Sequence, residues 1–481
     1  MASERGNPDH RGESTDKWRY VVLVSKLSLD FLTTGLLKSF GLLIPALIHK
    51  LDTNYGTIGL ILSLELTLFF MACPLVCFLS KRINQRLLCI MGSVASSGAI
   101  IMSAFTTSAL WFGVAMFLTG LFSAPMNQIS HAVLHRYFGV KFGFVNSVCL
   151  LGCLVGGMIF PPITYSLLEE YGIEGALICL GALYLNCVPI AVTFRNPSDS
   201  RNKSSVEYVR DKELEAGIPM EVAHPSSEYE GNCETKLSQS EENTDPLMVK
   251  HQVEATELRQ NIEPKYGRVT RFLWISLNLR VLVNEKAFTI LFLPCKYLIE
   301  VVYVAWILFV VSFAMAKDLP EALATYLPIA GSVGGFFNQG LVTILLHYRP
   351  FWGAPIFIVN MSSVALAFFL YPVSSSFVHL LVCSFFVGGG IFGGFPATYS
   401  VLVTYVSAEN FDSMLSVKFF VTGVGVVSSG YMAGTLYDVS GSFDDVFMMM
   451  GGMSVAAVLL TVALVICKRT RRKQNGAIKV K

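Results

Sequence analysis

The chain has 481 residues, of which 53% are hydrophobic and only 15% charged, with a mean hydropathy of +0.56. Soluble chains carry roughly 25% charged residues to solvate their surfaces, so a water-soluble enzyme, a secreted disulfide scaffold and a disordered regulator are all excluded. A polytopic membrane protein fits, because twelve spans of roughly 20 residues would use about half the chain; the net charge of +2 says nothing until its distribution is read.

Met1 to Lys17 is polar and lacks the apolar core of a secretory signal, so the first apolar run is expected to be retained. Six apolar runs precede a polar gap, at 19–48, 57–79, 87–106, 109–132, 143–167 and 174–194. Six follow it, at 287–315, 322–346, 351–371, 377–404, 414–437 and 444–467. The Pro and Gly inside them are tolerated in membrane helices. Short-loop Lys and Arg collect on one side, at Lys17, Arg19, Lys81, Arg82, Arg86, Arg136, Lys141, Arg195, Arg349 and the tail from Lys468 to Lys473. That side is predicted to be cytoplasmic. Both termini then lie inside, as an even number of spans requires.

The gap is rich in Ser, Glu, Asn and Lys and cannot bury enough apolar surface to fold alone. The expected organisation is a cytoplasmic tail 1–18, a six-helix bundle 19–195, a mostly disordered cytoplasmic linker 196–285, a second bundle 286–467 and a basic cytoplasmic tail 468–481. The linker's end, Arg271 to Val283, mixes apolar and basic residues and is read as an interfacial helix. The pairs Cys73/Cys77 and Cys149/Cys153 are read as small packing residues on helix faces. Asn202 and Asn360 begin the N-x-[ST] sequons, in the linker and in a span, so little or no N-glycosylation is expected.

Ionisable side chains inside spans carry the functional signal, since each costs roughly 2.5–3.5 kcal/mol at the bilayer centre on insertion scales. Six stand out: Lys26, Asp30, Lys38, Glu65, Lys296 and Glu300, with charges that sum to zero. At about 100° per residue, Lys26, Asp30, Thr33, Thr34 and Lys38 share one arc of roughly 140°. Lys26 and Asp30 are four apart and can pair, and Lys296 and Glu300 repeat that spacing in the seventh span. These four residues are read as coupling groups or ion pairs, with Asp30 read also as a substrate contact, and ion pairs that only lock helices remain the alternative. Lys38 lies roughly 27–30 Å along its helix from Arg19 and is read as the substrate-anion contact; the alternative is a lysine snorkelling to the interface. Glu65 is read as a substrate-side or coupling carboxylate. Asn127, Gln128, Asn146, Asn338 and Gln339 could orient a polar substrate or bond across helices. His131 and His135 share a helix face but lack the further ligands a metal needs, and no cofactor is implied.

Six spans, a long linker and six spans form the two-half plan of the major facilitator superfamily. The predicted fold is an all-α membrane protein of 12 helices in two pseudo-symmetric six-helix bundles. Asp16-Lys17-Trp18-Arg19-Tyr20 resembles, without its glycines, the Asp-Gly-Gly-Trp-Gly-Trp signature of monocarboxylate transporters. Thr34-Gly35-Leu36-Leu37-Lys38-Ser39-Phe40-Gly41 is similar to the segment that follows it in that family. Pro74, Arg82, Arg86 and Gly92, then Tyr137, Phe138, Lys141, Gly152 and Gly156, then Gly172, Gly175, Gly181 and Asn186 resemble further family positions in order.

The resemblance implies a plasma-membrane carrier of small organic anions, monocarboxylates or related zwitterions. It also implies Tyr399 as an aromatic pocket residue, placed by its offset from Phe411, and, for some members, a single-span immunoglobulin-like partner. Membrane lipid is the remaining partner; no nucleic acid is implied. Proton–lactate symporters of the family carry an Asp and, four residues on, an Arg in span eight, where this chain has Gly334 and Asn338. Facilitated transport is therefore expected over proton–lactate symport. Asn338 is retained as a polar substrate contact. The alternative class is a non-transporting receptor-like or scaffold protein of the same fold. No enzyme motif is present.

Overall fold

The computed structural model describes residues 10–53, 55–195, 280–324 and 326–478. These residues are helical, with no strand among them, and all belong to one compact unit formed by Met1–Ser200 with Leu277–Lys481. Most of the expected linker, including 271–279 of the expected interfacial helix, lies outside the described residues. Arg280–Asn284 is a short helix.

The first half comprises α1 (His10–Leu51), α2 (Tyr55–Met71), α3 (Cys73–Leu79), α4 (Gln85–Ser103), α5 (Ala109–Phe138), α6 (Phe142–Tyr184) and α7 (Cys187–Thr193). After the short α8 (Arg280–Asn284) come α9 (Lys286–Ala316), α10 (Glu321–Ala324), α11 (Tyr326–Tyr348), α12 (Gly353–Leu370), α13 (Phe377–Tyr405), α14 (Phe411–Ser440) and α15 (Phe443–Ile478). Local chemistry sets several boundaries. Asn84 caps α4 by accepting the Arg86 N–H at 3.0 Å, and Ser108 caps α5 by accepting the Leu110 N–H at 3.2 Å. Gly139, at φ 49°, ends α5.

Among the described residues, ten helical stretches are long and apolar enough to cross a membrane. One of them, Ala109–Thr193, has 85 residues and would reach about 130 Å if straight, roughly four bilayer cores. The turn at Gly139–Lys141 and the left-handed Gly172 (φ 66°) fold it into three passes. The described residues therefore make twelve passes. Two ends run longer than expected. α1 begins at His10, ahead of the span predicted at 19, and α15 continues through most of the basic tail to Ile478.

Among the described residues, the start of α1 and the end of α15 lie at one end, the terminal face. Trp18 Nε1 donates to the Thr193 carbonyl at 3.2 Å, tying the start of α1 to the end of α7. Lys468 donates to the Thr404 carbonyl, tying the end of α15 to the end of α13. On this face Glu285 accepts from the Ser407 N–H and hydroxyl (3.1 and 2.7 Å) and from Asn410 (3.3 Å). Burial opposes its charge, but those hydrogen bonds outweigh burial and hold the carboxyl below its ordinary range.

α11 and α13 cross with their backbones in contact. A Cβ on Gly388 would lie 2.0 Å from the Gly331 carbonyl oxygen, and one on Gly334 would lie 2.1 Å from that of Phe385. Gly334, where the resemblance would place an aspartate, is thus a helix crossing without room for a side chain. Gly334→Asp is expected to destabilise the protein by about 3 kcal/mol or more, through overpacking and a charge with no partner. Monodisperse elution of that variant in detergent at the wild-type yield would contradict this packing argument.

Candidate functional site

A cavity of about 240 Å³ lies between the two halves. The first half contributes Thr34 and Leu37 from α1 and Leu66 and Phe70 from α2. The second half contributes Lys296, Glu300 and Tyr303 from α9, Gln339 from α11, Phe392, Phe395 and Tyr399 from α13, and Lys418 and Phe419 from α14. The walls are mostly aromatic and aliphatic, and the charged groups all come from the second half.

Lys296 and Glu300 form a buried ion pair one helical turn apart, with the Lys296 ammonium 4.8 Å from the Phe395 ring centre. Lys26 and Asp30 form the matching pair on α1, also buried. Both pairs expected from the spacing exist, but they do not both face the shared path. Lys26 and Asp30 do not line the cavity, because α1 first reaches it at Thr34, about one turn further from the terminal face.

Lys418 is the residue that sequence reasoning missed. It falls near the start of the predicted run 414–437, so an inspection of every charge in every run would have found it. It is only 1% exposed, and its ammonium sits 3.2 Å from the centre of the Tyr399 ring, a cation–π contact. Among the described residues it has no carboxylate partner. With Lys418 counted, the intramembrane charges no longer cancel: one positive charge is left over.

Tyr399 lines the cavity, and its ring lies parallel to that of His131 on α5, 5.1 Å away, across the boundary between the halves. His135 stacks on Phe411 at 3.5 Å in the same way. The two histidines therefore act as stacking surfaces. Lys38 is exposed and does not line the cavity. It stands one turn beyond Thr34 on α1, and its methylenes lie over Gly157, where a Cβ would be 3.0 Å from Lys38 Cδ. Glu65 is not paired with Lys38. It lines a separate cavity of about 110 Å³ in the first half.

Asn338 is corrected from substrate contact to helix tie. Its amide donates to Asn360 Oδ1 at 2.5 Å and to the Gly389 carbonyl at 2.8 Å, and it is absent from the cavity wall. Gln339, about 100° further round the helix, takes that wall position.

The cavity is closed toward the terminal face. Arg136 of the first half pairs with Asp412 of the second and donates to Gln85 Oε1 at 2.8 Å. Gln128 donates to the Asp412 carbonyl at 3.0 Å, and the Ser147 and Thr343 hydroxyls meet at 2.5 Å. All these contacts lie in the terminal-face part of their helices. At the other end, the pairs Lys50–Glu174 (3.1 Å) and Lys317–Asp444 (2.9 Å) each stay within one half.

The family model described as Major Facilitator Superfamily matches residues 28–372. Monocarboxylate transporter 7 from Homo sapiens is 22% identical over 452 residues, covering 92% of this chain and 86% of that protein. Monocarboxylate transporter 3 from Gallus gallus is 23% identical over 465 residues, covering 95% and 80%. A solved structure of the fucose:proton symporter from E. coli superposes with a TM-score of 0.59 at 12% identity, covering 92% of this chain and 98% of that one, a likeness of fold alone. The helical halves and these matches agree: the chain is an integral membrane transporter, not an enzyme, it belongs to the Major Facilitator Superfamily, and it is similar to monocarboxylate transporters along most of its length.

Proposed function

We propose that this protein carries small organic monoanions, monocarboxylates or related zwitterions, across the plasma membrane by alternating access, facilitatively and not driven by protons. The observation that carries this reading is Lys418. Lys296 and Glu300 neutralise each other, so the cavity presents one uncompensated ammonium among aromatic walls. A single carboxylate answers that charge, and the apolar walls suit its organic part. Poor hydration strengthens the attraction.

The basic loops support the terminal face as cytoplasmic. On that assignment the Arg136–Asp412 closure shuts the inner side, and the cavity is reached from outside, past Lys38. Rocking of the halves would break this closure and form another at the far end. Gly334 and Asn338, in place of the family's Asp and Arg, support the facilitative reading. The residues 196–285 are proposed as a cytoplasmic linker between the halves, and a single-span ancillary protein is proposed from the family resemblance.

The test is uptake of labelled lactate, butyrate and 3-phenylpropionate into proteoliposomes containing the purified protein, with and without a one-unit inward proton gradient. We expect counterflow of at least one probe and no concentrative uptake. A one-proton symporter would accumulate its anion about tenfold under that gradient, and such accumulation would overturn the facilitative reading. Absence of counterflow for every probe would overturn the monoanion reading.

A further inference from the structure

The second cavity, of about 110 Å³, lies wholly within the first half and is built around Glu65. Glu65 is only 8% exposed, and its Oε2 has no hydrogen-bond partner. No basic side chain among the described residues forms an ion pair with it. Its position is held rigidly, because α5 packs directly on it: a Cβ on Gly120 would lie 2.3 Å from the Glu65 carbonyl oxygen.

Three of the hydroxyls lining the cavity have committed their protons elsewhere. Thr33 gives its proton to the Leu29 carbonyl at 2.9 Å, Thr119 gives its proton to the Ala115 carbonyl at 2.9 Å, and Tyr184 gives its proton to the Ser123 hydroxyl at 3.0 Å. Each of the three oxygens is left with lone pairs and no proton to offer. A pocket with one unpartnered carboxylate and three hydroxyl oxygens whose protons are spent elsewhere answers a compact positive charge. Thr34, Leu37, Leu66 and Phe70 also wall the central cavity, so the two spaces share a boundary.

We propose that the Glu65 pocket is a monovalent-cation site, in which the Glu65 carboxylate and the oxygens of Thr33, Thr119 and Tyr184 hold a small cation beside the anion cavity. The chemistry is that of an alkali ion or a primary ammonium group. Its source is either a free ion or the ammonium end of a zwitterionic substrate whose carboxylate lies on Lys418. This rests on the carrier reading above for its transport role, but binding to the pocket is measurable on its own.

The test is thermal unfolding of the full-length protein in detergent at constant ionic strength, in choline chloride, sodium chloride or methylammonium chloride. Sodium or methylammonium at 100 mM is expected to raise the melting temperature saturably, by about 3 °C. The shift should vanish in Glu65→Gln and persist in Lys418→Gln. Should Glu65→Gln fail to fold, Thr119→Val removes one acceptor at constant shape and is expected to raise the half-saturating concentration several-fold. A shift with sodium alone identifies a free ion and replaces the facilitative clause with ion coupling. A shift with methylammonium alone identifies the substrate's ammonium group. No shift with either cation, or one that survives in Glu65→Gln or is unchanged in Thr119→Val, overturns the proposal. The carboxylate counterflow experiment fails or succeeds independently of these outcomes.

Discussion

Lys418→Gln is expected to reduce carboxylate uptake by roughly 10- to 150-fold at subsaturating substrate while leaving the amount of protein at the membrane unchanged. The range is that of one charge-assisted hydrogen bond, about 1.5–3 kcal/mol. The ammonium is buried against the Tyr399 ring without a counter-charge among the described residues, so glutamine removes an unfavourable burial as well as the anion contact. Folding should therefore tolerate the change even where transport does not. Lys418→Arg would keep the charge but not its point-like shape over the ring, and should retain part of the activity. Lys38→Gln is the comparison. Lys38 is exposed and outside the cavity wall, so its loss should weaken capture of the anion less than loss of Lys418 does. Initial-rate uptake of a labelled monocarboxylate, normalised to surface-biotinylated protein, makes the measurement. Wild-type rates in Lys418→Gln would remove it from the site.

The second large effect is expected at Lys296 and Glu300. Either single neutralisation, Lys296→Gln or Glu300→Gln, strands a buried charge inside the helix bundle, which costs roughly 3–5 kcal/mol. Both should express poorly. The exchanged double variant, Lys296→Glu with Glu300→Lys, restores an ion pair at the same i, i+4 spacing and should recover most of the folded yield. Uptake then separates two roles. If the pair only locks the helix, the exchanged variant transports. If the ammonium must face Phe395 and the cavity, folding recovers and transport does not. Failure of the exchanged variant to recover yield beyond the single variants would argue that the two residues do not act as a pair.

The two pairs also show how far the residue pattern reaches. Spacing along a helix is a local property, so Lys26–Asp30 and Lys296–Glu300 were both legible as pairs before any packing was known. Which of them faces the cavity was not legible, because it depends on where other helices approach α1 and α9. Asn338 and Gln339 show the same limit at finer scale. They are adjacent polar residues in one span, and a rotation of about 100° sends one to Asn360 and the other to the cavity wall.

The amino-acid sequence by itself determined the membrane class, the twelve passes, the two-half plan and the pairing of neighbouring charges. These follow from run length, loop charge and helical period, all of which act over a few residues. The tertiary structure alone decided that Glu65 has its own pocket, that Gly334 is a helix crossing, and that Lys418 stands over Tyr399 without a counter-charge. Those facts arise between residues on different helices, where burial and the approach of neighbouring side chains determine which charge is compensated and which is left to meet a ligand.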